Sequence, residues 1–193
     1  MQTQEMALLT HDILLLPGGR VELRVVDPLD LHVIAEVLKQ HYCLVFAQHK
    51  AAQTPPCYML ATECDIIDFN QLDDDSLSVV LKGKQRVKVL SAGQKRDGMW
   101  IARTLACDNW QQEPIMGEFE LISAALAQFY RVHPELVSLY QNDIYLEDAS
   151  WVSQRWLEVL PLYMKDKLRL LEQPNCHKTM QFVLALIKSH AQP

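Results

Sequence analysis

The alternation of apolar and polar positions divides the chain into two parts that meet near residue 113. Before that point, short runs with the two-residue period of a half-buried strand alternate with turn residues. After it, apolar residues recur every three or four positions, as they do along one face of a helix. We therefore expect a β-rich subdomain over residues 1–112 and a helical bundle over residues 113–193.

The first part contains several predicted strands and one predicted helix. Asp27 suits the N-cap of that helix and Pro28 its first turn, because proline has no N–H to leave unpaired there. The predicted strands cover residues 7–16, 21–26, 43–47, 58–69, 76–82, 85–90 and 99–106. One helix inserted among six or seven strands, without a repeated βαβ unit, predicts an α+β fold with a small mixed β-barrel.

The stretch Pro17-Gly18-Gly19 stands between two apolar runs. A phosphate-binding loop needs spaced glycines followed by Lys and Ser or Thr at the start of a helix. Here the glycines lead into a strand, and no such pair follows. The pattern favours a hairpin turn between the strands predicted at 7–16 and 21–26.

Composition and charge limit the classes of partner and the cellular compartment that we expect for this chain. The 193-residue chain is 49% hydrophobic and carries a net charge of −6, but residues 82–112 hold seven basic and only two acidic residues. An acidic protein does not attract nucleic acid over its whole surface. The five cysteines form no CxxC, which favours a reducing compartment. With no basic leader and no long apolar stretch, we expect a cytoplasmic protein without a membrane partner.

The sequence provides little for catalysis or metal binding. His41, Cys43, His49, Cys57 and Cys64 are spaced too loosely for a zinc site, which usually shows tight pairs. The three aspartates at 73–75 lack the alternate ligands and glycine of a calcium loop. No G-x-S-x-G, H-E-x-x-H or S-x-x-K occurs. We therefore predict no metal, no cofactor and no catalytic residue.

Basic residues recur at every second position within "KGKQRVKVL": Lys82, Lys84, Arg86 and Lys88. On a regular strand these four side chains share one face. That face is interpreted either as the solvated side of a half-buried strand or as a stripe for RNA or another anion. The stripe lacks the interleaved aromatic residues on which single-stranded nucleic acids stack.

Three stretches resemble the Lon N-terminal domain family, the substrate-binding domain of the Lon proteases. "PGGRVELRVVDP" is similar to the family's first signature, and "KGKQRVKVL" is similar to its Gly-x-x-Arg strand. "WLEVLPLYMKDKLRLLE" is similar to its helix pair. The residues at the motif positions are Pro17, Gly18, Asp27, Pro28, Gly83, Arg86, Pro161, Lys167, Leu171 and Glu172, with Asp27 standing where the family has Glu. Their order along the chain carries the resemblance.

The resemblance implies a PUA-like β-barrel followed by a helical bundle, and a non-catalytic module that binds a polypeptide or a partner protein. A full Lon protease also carries a P-loop ATPase and a Ser-Lys peptidase. Neither motif occurs before Pro193, so we expect no ATPase or peptidase activity. The alternative hypothesis is an RNA- or anion-binding module that uses the basic strand at 82–88.

Overall fold

Residues 3–48, 60–74, 76–141 and 143–190 are described by a computed structural model of the chain. The chain divides into two units, Met1–Asn109 and Trp110–Pro193. Among the described residues, the first unit contains one six-stranded sheet and a single α-helix, and the second contains five α-helices. The predicted α+β class with one helix among the strands is therefore confirmed.

The strands of the first unit differ greatly in length. The shortest has 5 residues and the longest has 18. They are β1 (Thr3–His11), β2 (Arg20–Val25), β3 (Leu44–Gln48), β4 (Leu60–Gln71), β5 (Leu77–Gln94) and β6 (Trp100–Ala106). The strands predicted separately at 76–82 and 85–90 are thus one continuous strand.

The sheet order is β2-β5-β4-β3-β1-β6, and β5 also pairs with β6. The pairings of β5 with β4, β4 with β3, β3 with β1, β1 with β6 and β6 with β5 therefore form a closed ring. β2 pairs with the first part of β5. Of the pairs formed by these six described strands, β1 and β3 run parallel and the others are antiparallel. Alternate residues of β1 and β3 enter separate apolar clusters, with Leu9 and Phe46 in one and Leu8 and Val45 in the other. Both faces of these central strands are therefore buried.

The single helix of this unit, α1 (Pro28–Leu38), begins where the sequence predicts. The Asp27 carboxylate accepts the N–H of Leu29 at 2.8 Å, and Pro28 occupies the first turn. Val33 and Ile34 are buried in the same apolar cluster as Phe46. The N-cap interaction is local in sequence, which is why the residue pattern alone locates this helix start.

The prediction of a hairpin turn at Pro17-Gly18-Gly19 is wrong. β1 pairs with β3 and β6, and β2 pairs with β5, so the two flanking strands do not contact each other as a ladder. The segment is instead a tight turn that lies against β5. Gly18 has φ +73° and donates its N–H to the carbonyl of Gly83 at 2.8 Å, and Gly83 donates its N–H to the carbonyl of Gly19 at 3.0 Å.

The second unit consists of α2 (Glu120–Val132), α3 (Pro134–Ser138), α4 (Ala149–Val159), α5 (Met164–Leu171) and α6 (His177–His190). Asp148 caps α4 by accepting the N–H of Ser150 at 3.0 Å. Pro161 follows the end of α4 and lies in the connection to α5. No helix in the described part of the chain has the length and apolar content needed to cross a membrane.

Candidate functional site

β3 is much shorter than the two strands on either side of it, and this leaves a space in the sheet. β3 begins at Leu44, which pairs with Ala7 of β1 and with Cys64 of β4. Residues 3–6 of β1 and 65–70 of β4 extend past this start, and within the described residues nothing pairs with them on that side. We call the space between these two segments the strand gap.

A cavity of about 530 Å³ occupies the strand gap. Residues at the start of β1, on β4 and at the end of α1 line it, together with the connection 40–43 between α1 and β3. The carbonyl of Cys43 accepts the N–H of Ala7 at 2.9 Å, which is the last backbone bond between these segments before the cavity opens. The cavity is therefore bounded by strand edges on two sides and by a helix end on another.

Acidic side chains dominate the β4 side of the gap. The Lys84 ammonium lies 3.2 Å from the Asp65 carboxylate and 3.5 Å from that of Glu63. The hydrogen bond to Asp65 is the main cause that raises the pKa of Lys84. Two carboxylates therefore share one cation here, and the cluster retains negative charge.

The wall formed by α1 and its following connection is held by local charged contacts. The Glu36 carboxylate lies 2.8 Å from His41 Nδ1 and accepts a hydrogen bond from Lys39 at 3.0 Å. These contacts, that of His41 first, lower the pKa of Glu36 to about 2. Gln40 adopts φ +61°, in the left-handed region, where the chain turns away from the helix. This turn places Tyr42 and Cys43 at the gap.

The histidines and cysteines considered for a metal site do not form one in the described part of the chain. Across that part, no group of three or more His, Cys, Asp or Glu side chains is arranged to hold an ion. Cys64 is buried in the apolar cluster next to β3, and burial raises the pKa of its thiol. His49 and Cys57 lie outside the described residues, as does Asp75 of the aspartate run.

One Cys-Glu-His cluster in the second unit was not anticipated from the sequence. Cys176 Sγ lies 3.3 Å from Glu113 Oε1, and His177 Nε2 lies 2.7 Å from Glu113 Oε2. Cys176 is completely buried, and its burial raises the pKa of the thiol to about 11. A thiol held protonated and away from solvent is a poor nucleophile.

We expect the cysteines to differ sharply in reactivity. In the native protein at pH 8, iodoacetamide should alkylate the exposed Cys43 and modify Cys176 at least about 100-fold more slowly, because the buried thiol reacts only after local opening. Peptide mass spectrometry of time points measures both rates in one sample. Urea should remove the difference, and similar native rates would contradict the assigned burial.

The residues of the first part that stand at the family's motif positions lie in two places. Pro17, Gly18 and Gly83 meet where the tight turn lies on β5, whereas Asp27 and Pro28 begin α1. A Cβ at Gly83 would lie 2.3 Å from the carbonyl oxygen of Leu16. The glycine is therefore required by the close approach of two backbones, and this contact holds the fold.

The four basic residues of the predicted stripe do not share a face. Glu63 pairs with Gln85 and Cys64 with Gly83, so Lys84 is an extra residue that forms a β-bulge. Leu81, before the bulge, packs in the apolar cluster of Leu9 and Phe46, whereas Val87, after it, packs in the cluster of Leu8 and Val45. Without a bulge these two residues would point to the same face, because both positions are odd-numbered. The bulge therefore turns Lys82 and Lys88 toward opposite faces.

Arg86 is also withdrawn from solvent. Its side chain donates to the carbonyl of Asp108, and Asn109 Oδ1 accepts its backbone N–H at 3.0 Å. Burial lowers the pKa of Arg86. With Lys84 bound to carboxylates and Arg86 buried, the structure does not support an RNA or anion stripe along this strand.

The residues of the helical part that stand at the family's motif positions include a buried charged side chain, Lys167. Lys167 is buried, and its ammonium lies 3.4 Å from the carbonyl oxygen of Glu158. Burial lowers the pKa of Lys167. The Glu158 carboxylate contacts the completely buried Arg155 at 2.7 Å and is itself largely withdrawn from solvent. Leu171 is buried at the end of α5 and Glu172 follows it.

Comparisons with known proteins agree with this architecture. The family model described as the ATP-dependent protease La (LON) substrate-binding domain matches residues 6–189. The chain therefore belongs to the family of Lon substrate-binding domains, and the resemblance seen in the sequence is confirmed. A search of curated proteins found no significant match.

Solved structures show the same fold. A Lon N-terminal domain protein from Xanthomonas campestris is 22% identical with a TM-score of 0.73, and the alignment covers 94% of this chain and 98% of that chain. The N-terminal domain of a Lon protease from the Mycobacterium avium complex is 14% identical with a TM-score of 0.66, with coverages of 97% and 100%.

Proposed function

We propose that this chain is a non-catalytic module that recognises polypeptide through the strand gap. The observation that carries the proposal is a cavity of about 530 Å³ that opens between unpaired strand segments, in a chain whose family is that of Lon substrate-binding domains. Unpaired strand edges beside an apolar wall are a common means of binding an extended chain. The closed ring of strand pairings supports a PUA-like barrel as the scaffold, and the free thiols of the described cysteines support a cytoplasmic location.

The apolar side chains at the end of α1 form one wall of the cavity, and Leu38 is the one through which we expect contact with a bound chain. This residue lines the cavity at the end of α1 and is 39% exposed, so it is available to a bound chain. Replacement of a hydrophobic side chain that contacts the ligand weakens binding by an amount that depends on the apolar area buried. Leu121 on α2 is 49% exposed and does not line this cavity, which makes it a matched control.

The experiment titrates the protein into a fluorescently labelled, permanently unfolded polypeptide. We expect saturable binding by the native protein. Leu38→Gln should weaken it about tenfold, which corresponds to about 1.4 kcal/mol, and Leu121→Gln should leave it unchanged. Fluorescence anisotropy measures each dissociation constant. Absence of binding by the native protein, or equal losses in both variants, would contradict the proposal.

A further inference from the structure

We propose that the bound polypeptide enters the strand gap as a β-strand and presents alternating basic and apolar side chains. This inference rests on the proposed function and adds to it the conformation and the chemistry of the ligand. The guest strand would continue the line of β3 between residues 3–6 of β1 and 65–70 of β4. Its occupant is an extended segment of another protein.

The lengths and pairings of the strands give the gap the width of one strand. β1 and β4 are both paired with β3 where β3 begins, so they are separated there by two strand spacings, about 10 Å in total. On the N-terminal side of Leu44 both edges continue without β3, and the β4 edge is regular as far as Ile66, where a register shift precedes Asp68. An extended segment placed there would face backbone donors and acceptors on both sides, as β3 itself does.

The two faces of the gap favour different side chains. Cys64 and Ile66 of β4 pack toward the apolar cluster that also contacts Val37 of α1. Glu63 and Asp65 alternate with them and therefore point to the opposite face. A strand in the gap would place every second side chain beside Ile66 and the end of α1, and the intervening ones beside the two carboxylates.

Charge selects basic residues for the intervening positions. The two flanking strands place Glu5, Glu63 and Asp65 on the lining of the gap, and the Lys84 ammonium contacts Glu63 and Asp65. A Lys or Arg of the guest would provide the charge that the second carboxylate lacks. The same charges disfavour a second copy of this chain as the occupant, because two acidic β4 edges would repel each other.

Three synthetic peptides test the inference by anisotropy. The first alternates Lys and Val over about six residues, the length of the β4 edge at 65–70. The second alternates Glu and Val, and the third is the Lys-Val peptide N-methylated at every second residue. We expect the first to bind at least about tenfold more tightly than either of the others, because one loses the charge match and the other loses the backbone donors along one edge.

Protein variants separate charge from backbone pairing. Asp65→Asn should weaken the Lys-Val peptide about fivefold. Glu147→Gln, which removes one exposed carboxylate from the second unit, should have no effect. Amide hydrogen exchange on the complex should slow within residues 65–70, whereas β2, which stands at the end of the sheet order, should exchange as in the free protein.

Each outcome distinguishes this inference from the function on which it rests. If the unfolded polypeptide binds but N-methylation costs nothing and exchange at 65–70 is unchanged, strand addition is overturned and polypeptide recognition stands. If Glu-Val binds as well as Lys-Val, the basic ligand class is overturned. If concentration-dependent self-association protects residues 65–70, the occupant is a second copy and the inference fails. If no polypeptide binds, both proposals fail.

Discussion

Gly83→Ala should destabilise the first unit by about 3–5 kcal/mol, because the added methyl group cannot be accommodated without moving backbone. Its Cβ would lie 2.3 Å from the carbonyl oxygen of Leu16 and 2.8 Å from the carbonyl carbon. Relief of this contact must displace the tight turn from β5. That movement breaks the two backbone hydrogen bonds between Gly83 and the turn, at about 1 kcal/mol each. It also exposes the buried Leu15 and Leu16.

Gly93→Ala on the same strand is the matched control. A Cβ at Gly93 meets no atom within 4 Å, so we expect a change below about 0.5 kcal/mol. Urea denaturation followed by circular dichroism gives the unfolding free energy of both variants. A Gly83→Ala protein as stable as Gly93→Ala would show that the turn does not hold β5 closely.

Glu158→Gln should destabilise the second unit by about 3–5 kcal/mol, since it leaves a buried cation without its counter-charge. The Arg155 side chain is fully buried, and its guanidinium contacts the two carboxylate oxygens of Glu158 at 2.7 and 3.0 Å. The guanidinium also lies 5.2 Å from the centre of the Trp151 ring. Glutamine keeps the size of the side chain, so the loss isolates the charge.

The exposed pair between Glu118 and Lys188 gives the control for this charge change. These groups lie 2.6 Å apart, with side chains 59% and 52% exposed, so Glu118→Gln should cost less than about 1 kcal/mol. Tryptophan fluorescence during urea denaturation reports on this unit through Trp151. Adding Arg155→Met to Glu158→Gln should restore much of the stability, because the unpaired charge is then absent. Equal costs at both pairs would refute the argument.

Local interactions explain which elements the sequence predicts well. The caps at Asp27 and Asp148 depend on a side chain and an amide two residues away, so the pattern contains all of the necessary information. The recurrence of apolar residues every three or four positions likewise reflects packing along one helix face, as at the buried Ile122 and Leu126 of α2. Family membership also follows from the sequence, because several short motifs keep their order.

Tertiary pairing explains what the sequence does not predict. Nothing within Pro17-Gly18-Gly19 indicates that the flanking strands take other partners. The bulge at Lys84 was also missed, although an isolated glycine such as Gly83 inside a strand is a known signal for one. The strand gap exists because β3 is shorter than its neighbours, and a strand's end depends on what lies beside it. The burial of Glu158 is likewise invisible in the amphipathic pattern, because a paired buried charge is indistinguishable from a solvated one in sequence.

The position of β1 within the ring also determines when the first unit is able to fold. Thr3 pairs with Leu105, so the first strand of this unit to be synthesised requires the last strand of the unit to complete its hydrogen bonds. Pairing between such distant segments slows folding and leaves strand edges exposed in the meantime. A nascent chain that ends before β6 therefore holds β1 with an unpaired edge. During synthesis, that interval is when the unit is most exposed to aggregation and most dependent on chaperones.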